Sequence, residues 1–224
     1  MKTKGFSSKP VEELVKSRQR VADHGEVFTP SWMVESMLDL VKIESERVDS
    51  RFLEPACGTG NFLKVVLGRK LNTVQKRYGK SDFERRHHAL FSLMCIYGID
   101  LLEDNVQECR ENLLNTYMSY LDLESGDVWH AAGYAVLKVN IVQGDALTLT
   151  TSESGPIEFP EWAYLGAGKF QRRDFRYDAL TQRSLYEPLT QRSSDDGALF
   201  EMVEDQGLFV PTKTHSQMTV ADIS

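Results

Sequence analysis

Long apolar stretches and closely spaced cysteines are both missing from this 224-residue chain. No run approaches the ~18 apolar residues that a membrane-spanning helix needs. The opening MKTKGFSSKPVEELVKSR also lacks the apolar centre of a secretory signal. The three cysteines, Cys57, Cys95 and Cys109, are odd in number and form no Cys-x-x-Cys pair, so neither a disulfide framework nor a zinc cage is indicated. No metal and no membrane are expected, and the expected setting is the cytoplasm. Prolines are few, seven in all, and none adjoins another. With 15 glycines, 41% hydrophobic and 26% charged residues, the composition fits an ordinary globular protein with one main domain rather than a repeat or a disordered chain.

The net charge of -7 would repel a polyanion if it were evenly spread, but it is not. Residues 1–20 hold Lys2, Lys4, Lys9, Lys16, Arg18 and Arg20 against Glu12 and Glu13, and residues 169–192 hold a second basic group. Such patches are either solvated faces or footprints of nucleic acid.

Residues 1–24 read as a polar, helical arm, residues 25–211 as the main domain and residues 212–224 as a frayed, flexible tail. After Ser31, which can cap a helix, Val34, Met37, Leu38 and Val41 recur at helical spacing, predicting a helix to about residue 46. The run Arg51–Pro55 predicts a strand that breaks into Cys57-Gly58-Thr59-Gly60, and a helix follows to about Tyr78. A helix over 84–93, a strand over 94–100, a helix over 104–120 and a strand over 136–147 complete the pattern. Val106, Cys109, Leu113 and Tyr117 fall on one side of the helix over 104–120. Strands alternating with helices predict a doubly wound, mostly parallel α/β sheet with helices on both faces. Beyond 148 the pattern weakens: 148–155 reads as turn and 156–164 as mixed. Leu180–Ser184 and Leu189–Ser193 form a two-copy repeat, and 197–210 reads as a helix and strand.

Glycines after a buried strand let a ligand approach the backbone, and the helix that follows offers unpaired N–H groups. Glu54 stands at the head of that turn. A carboxylate there opposes phosphate but suits the ammonium of an amino-acid-like ligand. Asp100 ends the next strand, where it can accept from the hydroxyls of a ribose, and Asp145 ends the third, where it can accept from an adenine amino group.

Gly25-Glu26-Val27-Phe28-Thr29-Pro30, Phe52–Leu63, Gly98-Ile99-Asp100 and Gly144-Asp145-Ala146-Leu147 together resemble the amino-methylating DNA methyltransferases of restriction-modification systems. The adenine-specific methylases of the type I and type IIG kind are nearest, and the resemblance covers about residues 21–147. It implies a sheet of the S-adenosylmethionine-dependent methyltransferase type, with that cofactor bound. Phe28, Thr29 and Pro30 would close over its methionine part, and Glu54, Ala56, Gly58 and Gly60 would hold the amino acid. Asp100, with Leu101 beside it, would take the ribose, and Asp145 and Ala146 the adenine. Methyl transfer to the exocyclic amine of adenine in DNA is the implied activity.

One element of that family is missing. Its Asn/Asp/Ser-Pro-Pro-Tyr/Phe turn, which grips the target base, has no counterpart in a chain without a Pro-Pro dipeptide. The catalytic residues are therefore unknown; Pro160, Trp162 and Tyr164 are weak candidates within Phe159–Tyr164, which reads equally as a surface loop. Lys169, Arg172, Arg173 and Arg176 are candidates for contact with DNA, interleaved as they are with aromatics, although the same composition suits a subunit interface. Two other readings stay open: an inactive subunit that binds a partner methylase or nucleic acid, and a methyltransferase acting on RNA or protein. A second subunit supplying the catalytic turn or target recognition is a possible partner.

Overall fold

The structure is a computed structural model that describes residues 16–24, 26–27, 29–178 and 210–224. The repeat at 180–193 and the helix and strand expected within 197–210 lie outside the described residues, apart from Val210.

Helices α1 (Arg18–His24), α2 (Ser31–Leu40) and α3 (Lys42–Ser45) precede the first strand, β1 (Phe52–Glu54). Then come α4 (Asn61–Tyr78), α5 (Asp82–Met94), β2 (Ile96–Asp100), α6 (Glu103–Leu121), α7 (Val128–Asn140) and β3 (Ile141–Asp145). The chain continues through β4 (Thr150–Thr151), β5 (Glu158–Gly166) and β6 (Lys169–Arg176), and its last described stretch holds β7 (Lys213–Thr214) and α8 (Val220–Ile223).

Four strands form a mixed α/β sheet in the order β1-β2-β3-β4, parallel through β3, with β4 antiparallel. Each new strand is added on the same side of the last. The reversal of direction that defines a doubly wound sheet is therefore not found among the described residues, where β1 is a border strand. A second, antiparallel sheet, β5-β6-β7, is built on a hairpin.

The main core lies on the helical side. Leu63, Val66, Leu67, Leu71 and Val74 of α4 meet Ala89, Leu90 and Leu93 of α5 and the expected stripe of α6, where Val106, Cys109, Leu113 and Tyr117 are all fully buried. Strand β2 is covered on both sides, as a central parallel strand should be: Ile96 joins the helical core, while Tyr97 and Ile99 pack with Ile157 and Phe159.

Four expectations are corrected. The strand read over 136–147 is only Ile141–Asp145, because Val136 and Leu137 are buried on the last turn of α7. A continuous apolar run does not separate buried strand from buried helix, and the start of α7 is a cap, Asp127 Oδ1 accepting from Trp129 N–H at 2.8 Å. Asn140 closes that helix and ties three elements together. Its buried amide donates to the carbonyls of Met94 (3.1 Å) and Ile96 (3.0 Å) and accepts from the Trp162 indole (3.0 Å). The helix expected from 31 to 46 breaks at Val41 into α2 and α3, with Pro30 rather than Ser31 at its N-cap; Val34 and Leu38 are buried, but Met37 and Val41 are exposed. The mixed stretch 156–164 becomes the long strand β5. Finally, residues 212–224, expected to fray, are packed: β7 pairs with β6, Phe170 and Met218 exchange backbone hydrogen bonds, and Val220 is buried in the main core. Apolar residues in this stretch are too sparse to show a period, so only their tertiary contacts place them.

Just before β1 the chain is held by Lys70, which is fully buried. Its ammonium donates to the carbonyls of Arg47 (2.7 Å), Val48 (3.1 Å) and Ser50. Burial pulls its pKa down to about 8.

Candidate cofactor site

The glycine turn follows from local constraints. Cys57 N–H donates to Ile99 O at 2.9 Å, which anchors the turn to β2, and Gly60 N–H closes it on Cys57 O at 2.9 Å. Gly58 and Gly60 both take positive φ, 52° and 85°. At Gly60 a Cβ would also lie 2.7 Å from Cys109 Sγ, so glycine is required there by conformation and by space. The residue opens α4 as its N-cap.

A cavity of about 580 Å³ opens at the carboxyl ends of β1, β2 and β3, where ligands of parallel sheets sit. Its volume is in the range of small-molecule sites, roughly 300–1,000 Å³. Thr29, Glu54, Ala56, Gly58, Asp100, Leu101, Asp145 and Ala146 all line it. Pro30 and Gly60 do not line it; they shape it, as the N-caps of α2 and α4. Phe28 lies outside the described residues.

The three acids differ in their surroundings. Glu54 is half-buried, with no cation paired to it among the described residues, and burial pushes its carboxyl up from the usual range despite a hydrogen bond from the Ala56 backbone. Asp100 is a hub. Its Oδ2 accepts from Gly58 N–H at 2.8 Å, and its Oδ1 accepts from Leu102 N–H at 3.0 Å and from Asn105 Nδ2 at 3.2 Å. Asp145 folds its own turn, Oδ1 accepting from Leu147 N–H at 2.8 Å. Apolar side chains frame the opening: Val27, Met37, Leu101 and Leu147 are all exposed at its rim.

No family model, curated protein or solved structure matches the chain.

Among the wall residues to which sequence reading gave no role are Glu26 and Asn105. Asn105 is buried, and its Nδ2 bridges Glu26 Oε1 (2.6 Å) and Asp100. Arg20 holds Glu26 with two bonds, Nε to Oε2 at 2.5 Å and Nη2 to Oε1 at 2.9 Å, and reaches Asp104 at 2.6 Å. Hydrogen bonding from Arg20 keeps the Glu26 carboxyl below the usual carboxylate range. The only sequence signal was the position of Glu26 within the quoted Gly-Glu-Val-Phe-Thr-Pro element.

The weak catalytic candidates lie elsewhere, and none lines the cavity. Trp162 is buried in the main core with Arg172 over its ring; Tyr164 packs among His87, His88 and Phe170; Pro160 sits in β5, its carbonyl accepting from the Tyr97 hydroxyl at 2.8 Å. They stand in β5, an edge strand of the three-stranded sheet among the described residues, rather than in a loop. The basic strand carries acids beside its arginines. Arg172 pairs with Asp174, Arg173 with Glu161 and Arg176 with Asp178, so only Lys169 of the four candidates has no acid partner among the described residues. Two of these acids, Asp174 and Asp178, stand two positions from their arginines in the chain, and only Glu161 is a cross-strand neighbour. No described helix is long and apolar enough to cross a membrane.

Proposed function

We propose that the chain binds S-adenosylmethionine and forms the cofactor-holding part of a methyltransferase of the DNA amino-methylating kind. The observation that carries the reading is the convergence of Glu54, Asp100 and Asp145, from the ends of three adjacent parallel strands, on one cavity beside a glycine turn. Acids at all three positions exclude a phosphate-rich ligand and suit one with an ammonium, a ribose and an adenine amine. The residues present fit that molecule.

When bound, the cofactor supplies a methyl on a sulfonium sulfur, which leaves as a thioether when an amine attacks. What this chain contributes is placement. Glu54 would pair with the ammonium, whose positive charge favours the ionised carboxylate against the effect of burial. The Gly58 turn admits the amino-acid part, Asp100 accepts from the ribose, and the free oxygen of Asp145 accepts from the adenine amine. Leu101 and Leu147 cover the adenine faces and exclude water.

A second reading concerns activity. Among the described residues the sheet is wound to one side of β1, and a Pro-Pro turn is missing from these 224 residues; both observations favour an acceptor-gripping turn supplied from outside them, as by a partner polypeptide. DNA is the acceptor implied by resemblance, and with the β6 arginines engaged by acids its phosphate contacts come from that partner. Calorimetric titration of the full chain with S-adenosylmethionine tests the cofactor reading. Micromolar binding, lost at least thirtyfold in Asp100→Ala with the fold retained, is the expected result. No binding at about millimolar ligand would overturn the reading. Radiolabelled methyl transfer to unmethylated DNA, with and without co-purifying proteins, separates enzyme from inactive subunit.

A further inference from the structure

Counting acceptor sites around Asp100 shows that this carboxylate alone is too fully used to read a ribose. A carboxylate has about four lone-pair sites. Among the described residues, Asp100 spends three, on Gly58 N–H, Leu102 N–H and Asn105 Nδ2. One remains, on Oδ2, whereas a vicinal diol brings two O–H donors. The three donors are not easily given up. Two are backbone groups that shape the glycine turn and the start of α6, and the third belongs to a residue with 1% of its surface exposed.

Glu26 is in the matching position. It lines the same cavity, its side chain is 8% exposed, and it too has three donors: Arg20 Nη2 and Asn105 Nδ2 on Oε1, and Arg20 Nε on Oε2. The single Nδ2 of Asn105 touches both carboxylates, so Oε1 of Glu26 and Oδ1 of Asp100 flank one amide nitrogen. Two acids brought this close repel, and that repulsion is partly offset by Arg20 and by Lys16, which donates to Asn105 Oδ1 at 2.9 Å; both cations are shared with Asp104, and Lys16 also with Glu108. Sequence separations of 79 and 85 residues between these partners mean that the arrangement exists only when the N-terminal arm is docked.

We infer that Glu26 is a second ribose-binding residue, taking one hydroxyl of the diol while Asp100 takes the other, with Asn105 and Arg20 as the residues that position it. The inference rests on the cofactor reading above. It assigns a role to the arm: α1 carries Arg20, and Arg20 sets the carboxylate that meets the ligand.

The test is a cycle between protein and ligand, using the full chain and S-adenosylhomocysteine with its 2′-deoxy and 3′-deoxy analogues. A hydrogen bond to a charged acceptor is worth tenfold or more, roughly. For the wild type, each deletion is expected to weaken binding about tenfold. In Glu26→Gln the parent ligand is expected to bind about tenfold less tightly, and one of the two deletions is expected to cost less than about threefold more, while the other keeps its full effect. Arg20→Ala, which leaves Glu26 in place but unheld, is expected to shrink the effect of that same hydroxyl. If Glu26→Gln fails to fold, Glu26→Asp, which withdraws the carboxylate and keeps its charge, is expected to give the same selective loss. Equal hydroxyl effects in wild type and variant, or unchanged affinity in the variant, would overturn the inference and leave cofactor binding standing. Failure of the wild type to bind the parent ligand would remove the cofactor reading itself.

Discussion

Replacing Lys70 by methionine keeps the length of a fully buried side chain and deletes its ammonium, which makes the stability of the loop before β1 a measurable function of pH. Three carbonyls, those of Arg47, Val48 and Ser50, lose their donor. At about 1–2 kcal/mol for each buried acceptor left unpaired, the loss is about 3–6 kcal/mol. Against this stands the burial of a charge. The Lys70 pKa falls from 10.5 to about 8 on folding, and that shift corresponds to about 3 kcal/mol of disfavoured charge at neutral pH. The net effect of Lys70→Met near pH 7 is therefore a loss of only about 0–3 kcal/mol. Between the two pKa values the unfolded chain binds more protons than the folded one, so stability of the wild type rises with pH there. The contribution is fully present above 10.5 and lost as pH falls through about 8. The difference between wild type and variant should widen by about 3 kcal/mol from about pH 7 to about pH 10.5. Cys95, whose thiol burial pushes up to about 11, interacts with the Lys70 charge, so both proteins are compared in a Cys95→Ala background. Urea unfolding at a series of pH values gives the difference directly. A gap that stays constant or narrows as pH rises would show that Lys70 keeps an ordinary pKa, and the desolvation argument would fall.

Affinity for S-adenosylmethionine should decline on acidification before ordinary glutamates titrate, because the ionised form of Glu54 pairs with the ammonium and its pKa is raised by burial. Below that pKa the loss approaches tenfold per pH unit; calorimetry across the acid range checks it, and a profile unchanged in Glu54→Gln would refute the role. Gly60→Ala forces a Cβ against Cys109 Sγ at a φ of +85°. A loss of about 2 kcal/mol or more, read as a Tm lowered by roughly 4–8 °C, is expected; an unchanged melting curve would mean that the turn adapts.

The parts of this molecule that were legible in its sequence are those whose partners are close in the chain or enforced by period. The stripe Val106, Cys109, Leu113 and Tyr117 is one, and Gly58-Thr59-Gly60 between a strand and a helix is another. Asp100 and Asp145 were legible because an acid at the end of an apolar run has few reasons to be there. Glu26 and Asn105 were not, since what makes them wall residues is a set of bonds across 79 and more positions. Among the arginines of β6, Arg173 meets Glu161 only through strand pairing, of which a charge sum along the chain carries no trace, whereas Asp174 and Asp178 lie two positions from Arg172 and Arg176 and were legible. The α7–β3 junction was lost because Val-Leu-x-Val satisfies helix and buried strand alike.

The one-sided winding of the sheet among the described residues also bears on the order of events. Each parallel pairing, Phe52 beside Ile96 and Gly98 beside Ile141, waits for a whole intervening helical segment, and such non-local contacts form slowly. The last described stretch has a similar reach: Thr212 donates to Asp174 across 38 residues, and Val220 packs into the helical core beside α7. The helix pairs α4–α5 and α6–α7, whose members are neighbours in the chain, are the contacts that can form first, and the strands close on a helical layer already begun.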